Sequence, residues 1–428
     1  MIDILTRTML TVALALAAGV SQAQKPETGA GMQDTTDDFP LTMTAGEDSV
    51  RELYMSATYL SVSPDCQMTD STPTFGDDVY IDRLSRLPTE IEMPYNDVVR
   101  RFIDRYAGKL RYSVSYMLGA ANFYVPFFEE ALEAYGLPLE LKYLPVIESA
   151  LNPAAASSTG AAGLWMLSLA AAKDYGLTVN SLLDERRDPL KASYAAAARL
   201  NDLYKTFGDW NLVIAAFNSD PAQVEKAIHR AGGERDYWAI YPYMPKELRG
   251  YVPAFIAVNY MMSYYCEHGI CPMTATLPSK TDTIMTDRNV HLVQVADVLG
   301  IDIGLLRALN PACRKDIVPG AAGLTALRLP EDKVAAYIDR EGEITAYKAD
   351  ELLSRRAVAE VKPDVPEPEK KTVAKKKKTS TKAKYVTIKK GQTLSEIARA
   401  NGTTVSKLQK LNGLKGTTIR AGKKLRVR

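Results

Sequence analysis

One acid stands apart in a mostly apolar stretch. Glu148 follows Tyr143-Leu144-Pro145-Val146-Ile147 and precedes Ser149-Ala150-Leu151-Asn152-Pro153. A carboxyl group on such a helix is partly removed from water, which disfavours its charged form and raises its pKa. It can then hold a proton near neutrality, as a general acid must. Metal-assisted chemistry has little support, since the three histidines, His229, His268 and His291, lack a ligand-like partner at helical spacing. No metal and no cofactor is expected.

The elements that must hold Glu148 are helical. From residue 79 to about 275 the sequence carries helix starts and stops in its local chemistry. Asp188-Pro189 supplies a cap and a first-turn proline, and Gly208 a C-terminal stop. Asp209 caps the next helix, and Asp220-Pro221 begins another, with Gln223 placed for a capping box. Short connections between such helices build a mostly α domain with a cleft.

The ends of the chain differ from this body. Residues 1–23 carry Arg7, an apolar run and Ser21-Gln22-Ala23, the pattern of a cleaved signal peptide. No cysteine lies near that site, so a lipoprotein anchor is not expected. Residues 24–78 are polar and irregular and read as a flexible lead-in. Four cysteines, Cys66, Cys266, Cys271 and Cys313, allow three pairings in an oxidising compartment. Cys266 and Cys271 are close enough to close a small loop, while buried free thiols are the alternative.

Charge separates along the chain. Residues 370–428 hold 19 of the 53 Lys and Arg but one of the 51 acids, Glu396. Such a tail suits either an anionic envelope polymer or a solvated, self-repelling linker; nucleic acid is not expected. Two segments also repeat at an offset of 102 positions: Val295-Ala296, Leu306, Asn310, Ile317 and Gly320 match Ile397-Ala398, Leu408, Asn412, Ile419 and Gly422. Each reads as two short helices and a strand, assigned to residues 285–332 and 385–428. Ile397, Leu408 and Leu411 read as core. Between the units, residues 351–384 are rich in Pro and Lys and read as a linker.

Four pieces in order carry a resemblance: Glu148-Ser149 with Asn152-Pro153; Gly160-Ala161-Ala162-Gly163-Leu164-Trp165; Ala216-Phe217-Asn218; and Arg249-Gly250-Tyr251-Val252-Pro253. They resemble the ordered motifs of lytic transglycosylases, in spacing most of all the membrane-bound lytic murein transglycosylase D type. Residues 385–428, with Gly391-Gln392-Thr393-Leu394 and Leu411-Asn412-Gly413, resemble a lysin motif (LysM) domain, and residues 285–332 a degenerate relative.

The resemblance implies a mostly α fold: a goose-lysozyme-like helical catalytic domain over residues 79–275, a degenerate LysM-like unit and a C-terminal βααβ LysM domain. It implies cleavage of the bond between N-acetylmuramic acid and N-acetylglucosamine in peptidoglycan. Glu148 would act as both acid and base, and a 1,6-anhydro end would form. One carboxylate then suffices, unlike the usual glycosidase pair. Ser149 would orient the acid, Tyr251 would hydrogen-bond near it, and Asn218 would contact the sugar. Gly160 and Gly163 would let the backbone approach the glycan. Gly391, Thr393, Leu394, Leu414 and Ile419 would line the LysM groove.

Departures from the family pattern fall on substrate contacts. Met166 stands where Gln is usual, Phe217 where Tyr is usual, and Ser219-Asp220 where an Ala-Gly-like pair is common; Leu167-Ser168-Leu169 also differs. The leading expectation is an exported, periplasmic lytic transglycosylase. The alternatives are a catalytically weakened or inactive peptidoglycan-binding protein and a lysozyme-like hydrolase that uses water.

Overall fold

The computed structural model describes residues 39–40, 60–63, 65–69, 71–246, 248–278, 280–354, 385–414 and 416–427. The expected signal peptide and most of the expected linker lie outside the described residues. The chain divides into two units, Met1–Pro363 and Asp364–Arg428.

In the first unit, strand β1 (Leu60–Val62) precedes helices α1 (Asp77–Ser85), α2 (Asp97–Ala107), α3 (Arg111–Ala134), α4 (Leu144–Ser149) and α5 (Leu169–Asp174). Helices α6 (Pro189–Phe207), α7 (Trp210–Phe217), α8 (Pro221–Arg230), α9 (Tyr237–Ile240) and α10 (Tyr251–Tyr264) complete the helical body. Then follow β2 (Met273–Ala275), β3 (Thr281–Thr286), β4 (Asn289–His291), α11 (Leu292–Leu299) and α12 (Ile303–Leu309). Strands β5 (Ile317–Pro319) and β6 (Thr325–Pro330) lead into α13 (Glu331–Ala346) and α14 (Ala349–Leu352). The second unit holds β7 (Tyr385–Thr387), α15 (Leu394–Ala400), α16 (Val405–Asn412) and β8 (Lys424–Arg426).

Helix α10 is buried from Tyr251 to Met261 and packs against α2, α4 and α7, so it forms the centre of the helical body. Helix α3 lies along α6, which packs on α7. Capping chemistry sets the helix starts. Asp188 accepts from the amides of Leu190 and Lys191, Asp209 from Leu212, and Asp220 from Ala222. Each such cap is worth about 1 kcal/mol.

The end of the lead-in is not irregular. β1 pairs antiparallel with β2, Leu60 opposite Ala275 and Val62 opposite Met273, and a disulfide joins Cys66 to Cys271. Cys266 and Cys313 are free thiols, so the small loop that Cys266 and Cys271 might have closed does not form. A three-residue strand leaves too little alternation to be read locally, and its partner lies far along the chain.

The LysM-like unit also exceeds its expected limits. β3 pairs with β6 from Thr281 opposite Pro330 to Thr286 opposite Thr325. Tyr337 and Ile344 of α13 are buried in one core with Val295, Leu306, Leu327 and Leu329. Helix α14 occupies the first positions assigned to the linker.

The sequence repeat is a structural one. The Asn310 amide donates to the carbonyls of Leu306 and Arg328, both at 2.9 Å, and its oxygen accepts from the Arg328 amide at 2.8 Å. Asn412 does the same to Leu408 and Arg426, donating at 2.8 Å to each and accepting at 2.7 Å. His291 and Thr393, again equivalent, cap α11 and α15 in capping boxes with Gln294 and Glu396. Leu408 and Ile397 are core as expected, whereas Leu411 is only half-buried.

Candidate active site

Helix α4 is six residues long and buried throughout. It stops sharply, because Ala150 and Leu151 take left-handed conformations, with φ of 51° and 59°. Their amides reach back to the carbonyls of Val146 (3.1 Å) and Pro145 (3.3 Å). Two successive non-glycine residues in this region store strain, a cost tolerated where geometry serves a site. The stop fixes Glu148 in the last turn.

Three further segments converge on that carboxyl group: the loop of residues 157–168, the C-terminal end of α7 with Asn218, and the start of α10 with Tyr251. Together they enclose a cavity of about 360 Å³. Glu148 is the sole acid among the described residues that line it. Its side chain is only 6% exposed. Oε2 accepts a hydrogen bond from Asn218 Nδ2 at 2.7 Å, and Oε1 is buried without a hydrogen-bonding partner. Burial pushes the Glu148 pKa up to about 8, against the opposing pull of the Asn218 amide and the Arg199 charge. At neutral pH the group is therefore a carboxylic acid.

Tyr251 is buried and interacts with both Asn218 and Glu148. Burial first, and the nearby Glu148 charge second, keep its hydroxyl protonated. Met166 lines the cavity with φ of 45°. Trp165 is a core residue at the cavity floor. Its indole donates to Ser193 Oγ at 2.9 Å, and its ring meets Phe128 and Phe217 edge-on.

Some expected roles change. Ser149 Oγ lies 3.0 Å from the Pro145 carbonyl and 2.9 Å from that of Leu164, so it ties α4 to the cavity loop and does not touch the acid. Gly163 is constrained from inside the fold. With φ of 85°, its missing Cβ would fall 1.7 Å from the Arg186 carbonyl oxygen, so the constraint is internal packing. Gly163→Ala is accordingly expected to cost about 2–4 kcal/mol, from left-handed strain and overpacking combined. A urea denaturation midpoint unchanged from the parent would refute this. Asp220 is committed to its cap on α8 and does not line the cavity.

In the C-terminal unit, Leu394 is 2% exposed and belongs to the core with Ile397, Leu408 and Leu425. Leu414 and Ile419 pack against that core from its edge. The Thr393 hydroxyl is engaged in capping, leaving Gly391 and Thr393 as exposed groups of this set.

The sequence reading missed Arg199 on α6. It lines the cavity, donates to the Phe217 carbonyl at 3.1 Å and stacks over the Phe217 ring at 5.6 Å. It follows a run of alanines, and an arginine on a helix reads as solvated unless its neighbours are known.

Three segments of the chain match known protein families. Residues 126–240 match the transglycosylase SLT domain, residues 280–346 the LysM-like domain of lytic transglycosylase MltD, and residues 386–428 the LysM domain. The helical body thus carries a transglycosylase SLT domain, followed by two LysM-type units. Within that class the chain is similar to membrane-bound lytic murein transglycosylase D. It is 27% identical over 341 residues to the Escherichia coli K12 protein of that name, an alignment covering 78% of this chain and 70% of the relative. A putative tributyltin chloride resistance protein of an Alteromonas species is 37% identical over 106 residues, covering 24% of this chain and 51% of that one. The 70 kDa soluble lytic transglycosylase of Escherichia coli aligns in structure with a TM-score of 0.30 and 25% identity, over 33% of this chain and 24% of that chain.

Proposed function

We propose that the chain cleaves the β-1,4 bond between N-acetylmuramic acid and N-acetylglucosamine in peptidoglycan, leaving 1,6-anhydro-N-acetylmuramic acid ends. The observation that carries this reading is Glu148, a buried acid protonated at neutral pH, in a cavity that no second acid lines among the described residues. Asn218 holds Oε2, which leaves Oε1 to carry the proton. Glu148 gives that proton to the glycosidic oxygen as the bond to the muramic acid anomeric carbon breaks. The resulting carboxylate then takes the proton of the 6-hydroxyl, whose oxygen closes on the same carbon. The proton count balances, the acid is regenerated and no water enters. The substrate's own acetamido group stabilises the cationic centre, which is why a partner carboxylate is not needed.

Asn218 and Tyr251 hold the acid, and Met166 faces the glycan where the family usually offers an amide. The competing reading, a non-catalytic glycan-binding protein, loses one of its three supports, because the Asp220 carboxylate caps α8 and does not line the cavity. The LysM-type units supply further contact with glycan strands, in the C-terminal unit through exposed groups beside Gly391 and Thr393. The catalytic body extends from β1 through β2, and the LysM-like unit from β3 through α13. Export, a periplasmic location, and contact of the basic tail with anionic envelope polymers complete the proposal. No nucleic-acid partner is part of it.

The test is digestion of intact peptidoglycan with the purified protein and mass spectrometry of soluble products. Anhydro-muropeptides are expected. Products heavier by one water indicate a hydrolase instead, and binding without release indicates a non-catalytic protein.

A further inference from the structure

The LysM-like unit touches the helical body at a charged and buried point. Asp184 is 0% exposed. Its carboxylate accepts from Arg186 Nε (2.8 Å) and Nη2 (2.9 Å), a two-point pairing, and from Arg314 Nη2 at 2.7 Å. Arg314 comes from the LysM-like unit. The two segments are also joined through their backbones: the Asp184 amide donates to the Ala312 carbonyl at 2.9 Å, and the Arg314 amide to that of Leu182 at 2.7 Å.

Arg186 does not end with Asp184. Its Nη1 donates to the carbonyls of Gly160 (2.6 Å) and Leu167 (3.2 Å). Those carbonyls bracket the cavity loop that carries Met166. The Arg186 carbonyl itself lies against Gly163 at the centre of that loop. One guanidinium therefore grips the loop at both ends while its own backbone presses on the middle. Its orientation is set by Asp184, and Asp184 is shared with Arg314.

We infer that Arg314 of the LysM-like unit is a positioning residue for the transglycosylase site, acting through Asp184 and Arg186 to hold the cavity loop in its productive form. The inference rests on the proposed activity for its kinetic meaning, but the loop geometry can be read independently. Burial favours protonation of Asp184, and the Arg186 and Arg314 charges together overcome it, holding the carboxyl below its ordinary range. The group thus stays ionised at working pH and keeps Arg186 oriented. Removing Arg314 leaves a buried carboxylate with one fewer donor, free to draw Arg186 away from the loop.

Arg314→Ala tests this in the full chain, with Arg314→Lys as the conservative variant. Arg307→Ala, which breaks the exposed Arg307–Asp316 pair in the same unit, is the control. Hydrogen exchange is measured at the amides of residues 160–167 and, for comparison, along α10. Release of anhydro-muropeptides gives kcat and KM. For Arg314→Ala we expect severalfold faster exchange confined to the loop and its Asp184 contacts. We also expect a kcat lowered by roughly tenfold, since small misplacements of a site are costly, and partial recovery of both in Arg314→Lys. Unchanged loop exchange overturns the inference whether or not the parent protein is active. Exchange rising uniformly through the chain also overturns it, because it marks a general role in stability. A parent that releases no anhydro product refutes the proposed activity alone, and the exchange data still decide the positioning role.

Discussion

Glu148→Gln is expected to lose release of anhydro-muropeptides by at least about 10²-fold, the scale of removing a positioned general acid, and yet to fold more stably than the parent at alkaline pH. The ordinary glutamate pKa near 4.5 is raised by burial to about 8 in the folded chain. Between those two values the folded state binds a proton that the unfolded state releases. The stability associated with that proton is present in full below pH 4.5 and is lost as pH rises through 8. At about 1.4 kcal/mol per pKa unit, the deficit above pH 8 reaches roughly 4–5 kcal/mol. Glutamine keeps the shape and the bond to Asn218 but carries no ionisation. Thermal unfolding of parent and variant should therefore nearly coincide at pH 5 and diverge at pH 9, the variant melting higher. An active variant, or one melting below the parent at pH 9, would refute the assignment. The parent's activity should fall off near pH 8 as its acid ionises.

The second large effect belongs to the disulfide. Cys66 and Cys271 are separated by 205 positions, so the link closes a very long loop in the unfolded chain. Loop-closure entropy sets an upper bound of about 5 kcal/mol on its contribution, and measured values are typically about 2–4 kcal/mol. Cys66→Ser is expected to lower the unfolding free energy measured in urea by that amount and to match the parent treated with reductant. Cys266→Ser changes an exposed free thiol and is expected to stay within about 0.5 kcal/mol of the parent. The opposite ranking would mean that Cys266, not Cys66, is the partner of Cys271.

What was legible in the sequence was local. Asp188, Asp209 and Asp220 announce their helices because a cap needs only a side chain and the next few amides. Glu148 is visible because its apolar neighbours already imply loss of hydration. The repeat was visible because Asn310 and Asn412 make the same bonds within their own units. The features that were missed depend on distant partners. The strand at Leu60–Val62 exists through Met273–Ala275, the ionisation of Asp184 through Arg314, and the orientation of Arg199 through Phe217. Leu394 was misassigned because its place in a recognised motif says nothing of which way the side chain points; the capping box at Thr393 turns it inward. The constraint that Arg186 places on Gly163 was likewise out of reach of the local sequence.

The shared carboxylate of Asp184 bears on how such a protein can be recombined with others. A cut after residue 275, at the apparent seam between modules, takes Arg314 away from the buried Asp184 carboxylate and uncovers Phe127, over which Arg328 sits at 4.9 Å. Helical body and LysM-like unit are therefore best kept together when the protein is cut or recombined. The terminal LysM, whose core from Ile388 to Val427 is closed within itself, is the piece that evolution or an engineer can swap, duplicate or drop.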